Sequence, residues 1–225
     1  MKTPLNPTKP TREWLIPVGL VLLSLVPVIA GMVRLHQMGS GAITPENTRF
    51  FASPWPVVIH ILSVTVYSLL GAFQFSAVFR RRQPKWHRRA GYILLPMAFL
   101  TAFSGLWMTL FYPWPKFDGI AVYSMRLFVG MAMMVFLLLS LDAIRKRNFA
   151  LHGAWMIRAY ALALGAGTQV FTHLPFGLFP SIQNETSRAV CMGSAWLINY
   201  LVAEWVIYHQ QCSQARFSKT KVAQA

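Results

Sequence analysis

The chain has 225 residues, of which 55% are hydrophobic and only 12% are charged, with a formal net charge of +15. A soluble domain carries about 25% charged residues, so this composition cannot cover a globular surface with polar side chains. The abundance of apolar residues also excludes a disordered chain. The two cysteines, Cys191 and Cys212, stand in no motif, which excludes a disulfide scaffold. The composition therefore indicates an integral membrane protein.

Six apolar stretches are long enough to cross a hydrocarbon core about 30 Å thick, which requires about 20 residues in a helix. Segments this long and continuously apolar are helices, because lipid offers no partners to an open backbone. We therefore predict an all-α, polytopic membrane protein, a six-transmembrane-helix bundle that forms one integral membrane domain over residues 1–225. The predicted spans, in chain order, are Trp14–Leu35, Pro56–Phe79, Ala90–Tyr112, Ile120–Leu141, His152–Leu174 and Ala189–Tyr208.

Basic residues are distributed unequally between the two sides of this predicted bundle. Fifteen of the 21 lysines and arginines fall on one side, in the tails 1–13 and 210–225 and in the connections after the second and fourth spans. The positive-inside rule then predicts that both termini are cytoplasmic, in the inner membrane of a bacterium. The basic segments indicate the topology and should also attract anionic lipid at the cytoplasmic face. Nucleic acid is not an expected partner.

Two of the basic connections resemble each other. His87 follows Arg82 by five residues, and His152 follows Arg147 by five residues, and each histidine opens a predicted span. The offset between the two histidines is 65 residues. This pattern predicts a tandem repeat of two helical hairpins. The alternative is a chance similarity between two cytoplasmic connections, where basic residues are expected in any case.

Three segments of the chain resemble the signatures of a bacterial family of predicted membrane proteins, domain of unknown function 2306. They are Trp86-His87-Arg88-Arg89-Ala90-Gly91-Tyr92, the run from His152 to Leu162, and the run from His60 through Gly71 to Gln74-Phe75. The family pattern usually has His-Arg at the second site, where this chain has His152-Gly153. The resemblance covers roughly residues 56–175 and implies a family-like four-helix core there. It implies no particular activity.

The histidines suggest a cofactor, because haem b in a helical bundle takes axial imidazole ligands from facing helices. We predict His87 and His152 as a pair at the inner end, and His60 and His173 as a pair at the outer end, a layout similar to six-helix b561-type cytochromes. His152 and His173 are 21 residues apart on one predicted helix, about 31 Å. That separation is long for two haems in contact, so one haem on the inner pair is a narrower alternative. Histidines that lie at the interface without a ligand are another.

Ionisable residues inside the spans nominate a polar site in the inner leaflet. A charged side chain within a membrane costs about 3 kcal/mol on insertion scales, so Arg158 and Glu204 are expected to face a partner. The two can form a structural pair with each other, or Arg158 can extend to the inner membrane surface. Alternatively, Arg158 can hold a haem propionate, a quinone carbonyl or a lipid phosphate. Gln74 falls in the same predicted layer. The predicted inner site comprises His87, His152, Arg158, Glu204 and Gln74.

These features favour a membrane electron-transfer protein linked to haem b or to a quinone, with a redox partner. The alternative is a transporter, or a lipid-binding or assembly protein, that has no cofactor. Transport ranks lower because no predicted span shows a proline or glycine break at mid-membrane. A hydrolase is disfavoured, since the sequence has no metalloprotease motif, and the short string around Ser104 that could pair with His173 is weak evidence.

Overall fold

The computed structural model describes residues 10–41, 43–45 and 47–222, and within these ranges the regular structure is helical, with no strand. The prediction of an all-α fold is therefore confirmed. The described residues form ten α-helices, which are α1 Pro10–Ser40, α2 Thr48–Ala52, α3 Pro54–Ala72, α4 Ala77–Arg82, α5 Pro84–Phe111, α6 Ile120–Arg145, α7 Phe149–Ala163, α8 Gly165–Thr172, α9 Leu174–Leu178 and α10 Glu185–Val222. Residues 1–9 and 223–225 of the predicted tails lie outside the described residues, and most of the predicted C-terminal tail belongs to α10.

Five helical segments of the described chain are long and apolar enough to cross a membrane. They correspond to the first, second, third, fourth and sixth predicted spans, which supports a polytopic membrane protein. The segments are Trp14–Ser40, Pro54–Phe75, Pro84–Phe111, Ile120–Arg145 and Glu185–Ser213. The fifth predicted span, His152–Leu174, is not a single helix and is described below.

Contacts between the helices divide the chain into two compact units, Met1–Pro115 and Lys116–Ala225, here called the N-terminal and C-terminal units. In the N-terminal unit, α3 packs against α5 and α1 packs against α3. In the C-terminal unit, α6 packs against α7, and α10 packs against α6, α7 and α8. Each unit is therefore built on one helical hairpin with one further long helix beside it.

The two hairpins share their register, which supports the predicted tandem repeat. Helices α6 and α7 begin 66 and 65 residues after α3 and α5. His87 and His152 are both the fourth residue of their helices. The backbone N–H of each histidine donates to the backbone carbonyl of the residue that precedes its helix, at 3.0 Å. This residue is Gln83 for His87 and Asn148 for His152. The matched histidines thus occupy one position in two similar helix starts.

The second predicted span ends earlier than its hydropathy suggests. After α3, one 3₁₀ turn runs over Phe73–Phe75, and Ser76 takes an extended conformation with ψ 110°. The Ser76 hydroxyl then accepts a hydrogen bond from Phe79 N–H at 3.2 Å and so starts α4. A serine that caps a new helix satisfies a backbone donor that would otherwise have no partner. The predicted boundary at Phe79 was wrong because Ser76 ends the apolar segment.

The fifth predicted span is interrupted at Leu164, between α7 and α8, so the expectation that no span has a break was wrong. A Cβ on Gly165 would lie 2.2 Å from Trp196 Nε1, so only glycine allows α10 to approach this closely. Asn199 Nδ2 donates to Ala161 O at 3.1 Å, a carbonyl that would accept from Gly165 N–H in an unbroken helix. Thr168 Oγ1 donates in turn to Asn199 Oδ1 at 2.7 Å. Asn199 therefore bridges the two sides of the break.

The contact at the break predicts the effect of Gly165→Ala. The added methyl group meets a bulky indole that cannot move aside cheaply, and overpacking of this kind costs about 1–3 kcal/mol. We expect a lower apparent melting temperature in detergent. Gly153→Ala is the matched control, because nothing lies within 4 Å of a Cβ built at Gly153. Equal melting temperatures for the two variants would contradict the contact.

Candidate functional site

His152 is held at the start of α7 by the helix that precedes it. Arg147 takes a left-handed conformation with φ 58°, which turns the chain after α6. The Asn148 side chain then accepts from Leu151 N–H at 3.1 Å and caps α7. This short connection brings the half-buried imidazole of His152 back against α6, where Nδ1 lies 2.8 Å from Ser140 Oγ and 3.1 Å from Ser140 O.

His60 makes the same kind of contact in the other hairpin. From α3 its Nδ1 lies 3.1 Å from Thr101 O and 3.1 Å from Ser104 Oγ, both on α5. The Ser104 hydroxyl donates to Leu100 O at 2.5 Å. Ser63 Oγ, one turn along α3, accepts from Thr101 Oγ1 at 3.0 Å and extends the contact. Hydrogen bonds of this type join helices in an environment that has no water.

These contacts determine the tautomer of each ring. A backbone carbonyl only accepts hydrogen bonds, so a ring nitrogen bonded to it must carry the proton. Nδ1 is therefore protonated in His60 and His152, and likewise in His173, whose Nδ1 donates to Gln169 O at 3.0 Å. In each neutral ring the lone pair is left on Nε2. Ser104 accordingly faces the Nδ1–H group of His60, whereas the partner that the sequence suggested for it was His173.

The five residues of the predicted inner site divide between the two units. His87 lies half-buried in α5, and Gln74 lies in the 3₁₀ turn after α3, both in the N-terminal unit. Gln74 Nε2 is buried and makes no hydrogen bond to any residue that the structure describes. His152, Arg158 and Glu204 belong to the C-terminal unit. The predicted pairing of His87 with His152, and that of His60 with His173, stay predictions.

Arg158 and Glu204 form an ion pair, as expected from their similar predicted depth in the membrane. The contact between α7 and α10 is bidentate, with Nε 2.5 Å from Oε1 and Nη2 2.8 Å from Oε2. Tyr200, one turn before Glu204 on α10, lies close enough to interact with both members of the pair. The guanidinium lies 4.6 Å from the ring centre of Trp155. Because Glu204 occupies the Nε and Nη2 donors on one edge of the guanidinium, this geometry favours the structural pair over a propionate or phosphate clamp.

A second charged cluster, in the C-terminal unit, was missed in the sequence. The Asp118 carboxylate is only 2% exposed and contacts both Arg126 of α6 and Arg188 of α10. It therefore ties the segment just before α6 to the first turn of α10. The available signal was the position of Arg126, which lies two turns into a helix that Asp118 and Gly119 introduce. Arg188 gives no comparable signal, because it is 70 residues from Asp118.

Among the described residues, no group of three or more histidine, cysteine, aspartate or glutamate side chains could hold a metal ion. A bare metal ion in a protein takes three or four such ligands, whereas haem iron takes only one or two axial ones.

Comparison with known protein families gives a match over most of the chain. The model of a family described as "Predicted membrane protein (DUF2306)" matches residues 57–207. The match extends beyond the family-like core predicted at 56–175 and includes Asn199 and Glu204 of α10. No curated protein and no solved structure matches the chain.

The geometry of the Arg158–Glu204 pair predicts a large effect for Glu204→Gln. The substitution leaves a guanidinium that is only 16% exposed without its carboxylate, which costs at least about 2 kcal/mol in unfolding free energy. Asp142→Asn is the control, because its ion pair with Lys146 is exposed and contributes less than about 1 kcal/mol. Denaturant unfolding in mixed micelles measures both. A double variant, Arg158→Met with Glu204→Met, should recover part of the loss. If the double variant is no more stable than Glu204→Gln, the loss of stability does not come from an unpaired Arg158, which would contradict the proposed ion pair.

Proposed function

Since the chain belongs to the DUF2306 family of predicted membrane proteins, we propose its function from its own histidines: a membrane electron-transfer protein that binds haem b. His152 in the C-terminal unit and His60 in the N-terminal unit would each hold the haem iron through Nε2. His87 and His173 are the partners that the sequence predicts. A membrane quinone or a redox protein is the electron partner that this function requires. We also propose, from the distribution of basic residues, that both termini face the cytoplasm of a bacterial inner membrane.

The observation that supports this proposal is the shared hydrogen-bonding pattern of His60 and His152. A histidine that ligates a metal almost always donates its other ring N–H to a carbonyl, a carboxylate or water, which fixes the ring and raises the basicity of the ligating nitrogen. Both histidines donate Nδ1–H to a backbone carbonyl of the neighbouring helix, and both have a serine hydroxyl within 3.1 Å of the same nitrogen.

The chain's own part in the proposed function follows from these contacts. When bound, haem b supplies a one-electron redox couple. Ser140 and the Thr101 carbonyl hold the two imidazoles against rotation, so that each Nε2 is presented in one direction. The Arg158–Glu204 pair keeps a compensated charge near His152, since Arg158 is six residues along α7, about 9 Å. Such a charge pair stabilises a polar interior without adding net charge beside the ligand.

The proposal predicts the visible spectrum of the purified protein. After expression with added haem, we expect a Soret band that changes on reduction. The band should fall by at least half in His152→Ala or His60→Ala, and in the variants of the predicted partners His87 and His173. His209→Ala is the control, because His209 is exposed and lies outside the matched region although its Nδ1 also donates to a carbonyl. A colourless wild-type preparation, or a band that survives all four substitutions, would sink the proposal.

A transporter is the second candidate, and the break at Leu164 is the observation that favours it. Transporters often bind their substrates where helices are interrupted at mid-membrane, because unwound backbone can then face a polar cavity. Here Thr168 and Asn199 place polar side chains beside the break. This function would need no cofactor.

The two candidates differ in whether water reaches Thr168. For a transporter, a cysteine at this position in a Cys191→Ser and Cys212→Ser background should react with a membrane-impermeant maleimide in proteoliposomes, since only a thiol in contact with water forms the reactive thiolate. Leu197→Cys is the control, because Leu197 is exposed on α10 and should face lipid without reacting. If the Thr168→Cys thiol does not react with the maleimide added on either side of the membrane, the transporter proposal is wrong.

A further inference from the structure

One connection of the N-terminal unit carries a dense and uncompensated positive charge. Six basic residues lie between positions 80 and 89, and the sequence has no acidic residue between Glu46 and Asp118. All six side chains are exposed: Arg80, Arg81, Arg82, Lys85, Arg88 and Arg89. We propose that this segment, here called the basic connection, is a binding surface for the phosphate headgroups of anionic phospholipids.

The basic connection is held in place by aromatic packing. Phe79 of α4 lies 4.5 Å from Trp86 of α5, measured between ring centres. It also packs against Phe73 at 6.4 Å and Trp14 at 6.5 Å. Tryptophan, which provides two of these four rings, concentrates at the interface between hydrocarbon and headgroups. The cluster therefore fixes the six cations at the level where lipid phosphates lie.

The position of the charges within the helices explains why this surface attracts an anion. Lys85, Arg88 and Arg89 lie in the first two turns of α5, a helix of 28 residues. The unsatisfied N–H groups of a helix start carry partial positive charge, so cations there are unfavourable and an anion is favourable. Gln83, which precedes α5, provides no side-chain cap for these groups. A phosphate at this surface would reduce the repulsion between the cations. It would also accept hydrogen bonds from the uncapped N–H groups at the start of α5.

The second basic connection, residues 145–147, has no counterpart of Lys85, Arg88 and Arg89 at a helix start, whereas Arg80, Arg81 and Arg82 lie in the last turn of α4. Arg145 closes the last turn of α6, where the helix carries partial negative charge and a cation is stabilised. Lys146 Nζ also lies 2.8 Å from Asp142 Oδ2, so its charge is compensated within the chain. If basic residues served only as topology signals, the two connections would behave alike. The structure instead distinguishes them, and residues 145–147 form a natural control.

The test is a lipid titration of the full chain in neutral detergent, with apparent melting temperature as the readout. Dioleoyl-phosphatidylglycerol should raise this temperature in a saturable manner, and dioleoyl-phosphatidylcholine should not. Combining Arg80→Gln, Arg81→Gln and Arg82→Gln should weaken the apparent affinity for phosphatidylglycerol at least tenfold. The corresponding triple Lys variant, which keeps the charge, should stay within threefold of wild type. Combining Arg145→Gln, Lys146→Gln and Arg147→Gln should change the affinity by less than twofold.

Three outcomes would overturn the proposal. The first is an equal loss of affinity for phosphatidylglycerol in the 80–82 and 145–147 triple Gln variants. That result would show that only the total positive charge of the protein matters. The second is equal stabilisation by the two lipids. The third is a shift of the same size with inorganic phosphate or a short RNA alone, which would assign the surface to a different anion. If the 80–82 triple does not fold, Arg88→Gln with Arg89→Gln provides the same comparison.

Discussion

Water is absent from the hydrocarbon core of a membrane, and each polar group placed there must find its partner within the protein. This constraint explains why the described chain is helical, since helices satisfy their own backbone. It also explains the arrangement of the polar side chains. Where α7 is interrupted, Asn199 takes the carbonyl of Ala161. Where an arginine lies inside a span, Glu204 meets it with both oxygens.

The same constraint gives the histidines their chemical character. In water, an imidazole exchanges between two tautomers and can present either nitrogen. Against a helix backbone, His60 and His152 each find a carbonyl and a serine hydroxyl at Nδ1. The proton is thereby committed to one nitrogen, and the other retains its lone pair. The proposed ligand role of Nε2 depends on this fixed tautomer more than on any sequence motif.

Hydropathy and charge predict most of the fold, because both depend on composition averaged over about 20 residues. Five of the six spans and the pairing of Arg158 with Glu204 follow from length and depth alone. Side-chain contacts between helices do not, because they depend on rotation about each helix axis. The contacts of Ser140 and Ser104 with the two histidines could not be predicted for this reason. The break at Leu164 was also hidden, since Gly165 and its small neighbours are equally typical of close helix packing, and the interruption depends on Trp196 and Asn199 of a distant helix.

The most direct test of this account is the tautomer of the two histidines. Protein made without haem and labelled with ¹⁵N in its imidazole rings can be examined by solid-state NMR in lipid at neutral pH, with Ser140→Ala and Ser104→Ala used to identify the signals. We predict that His60 and His152 each show a protonated Nδ1 and an unprotonated Nε2. A proton on Nε2 of either ring would contradict the hydrogen-bonding pattern on which the proposed ligand role rests.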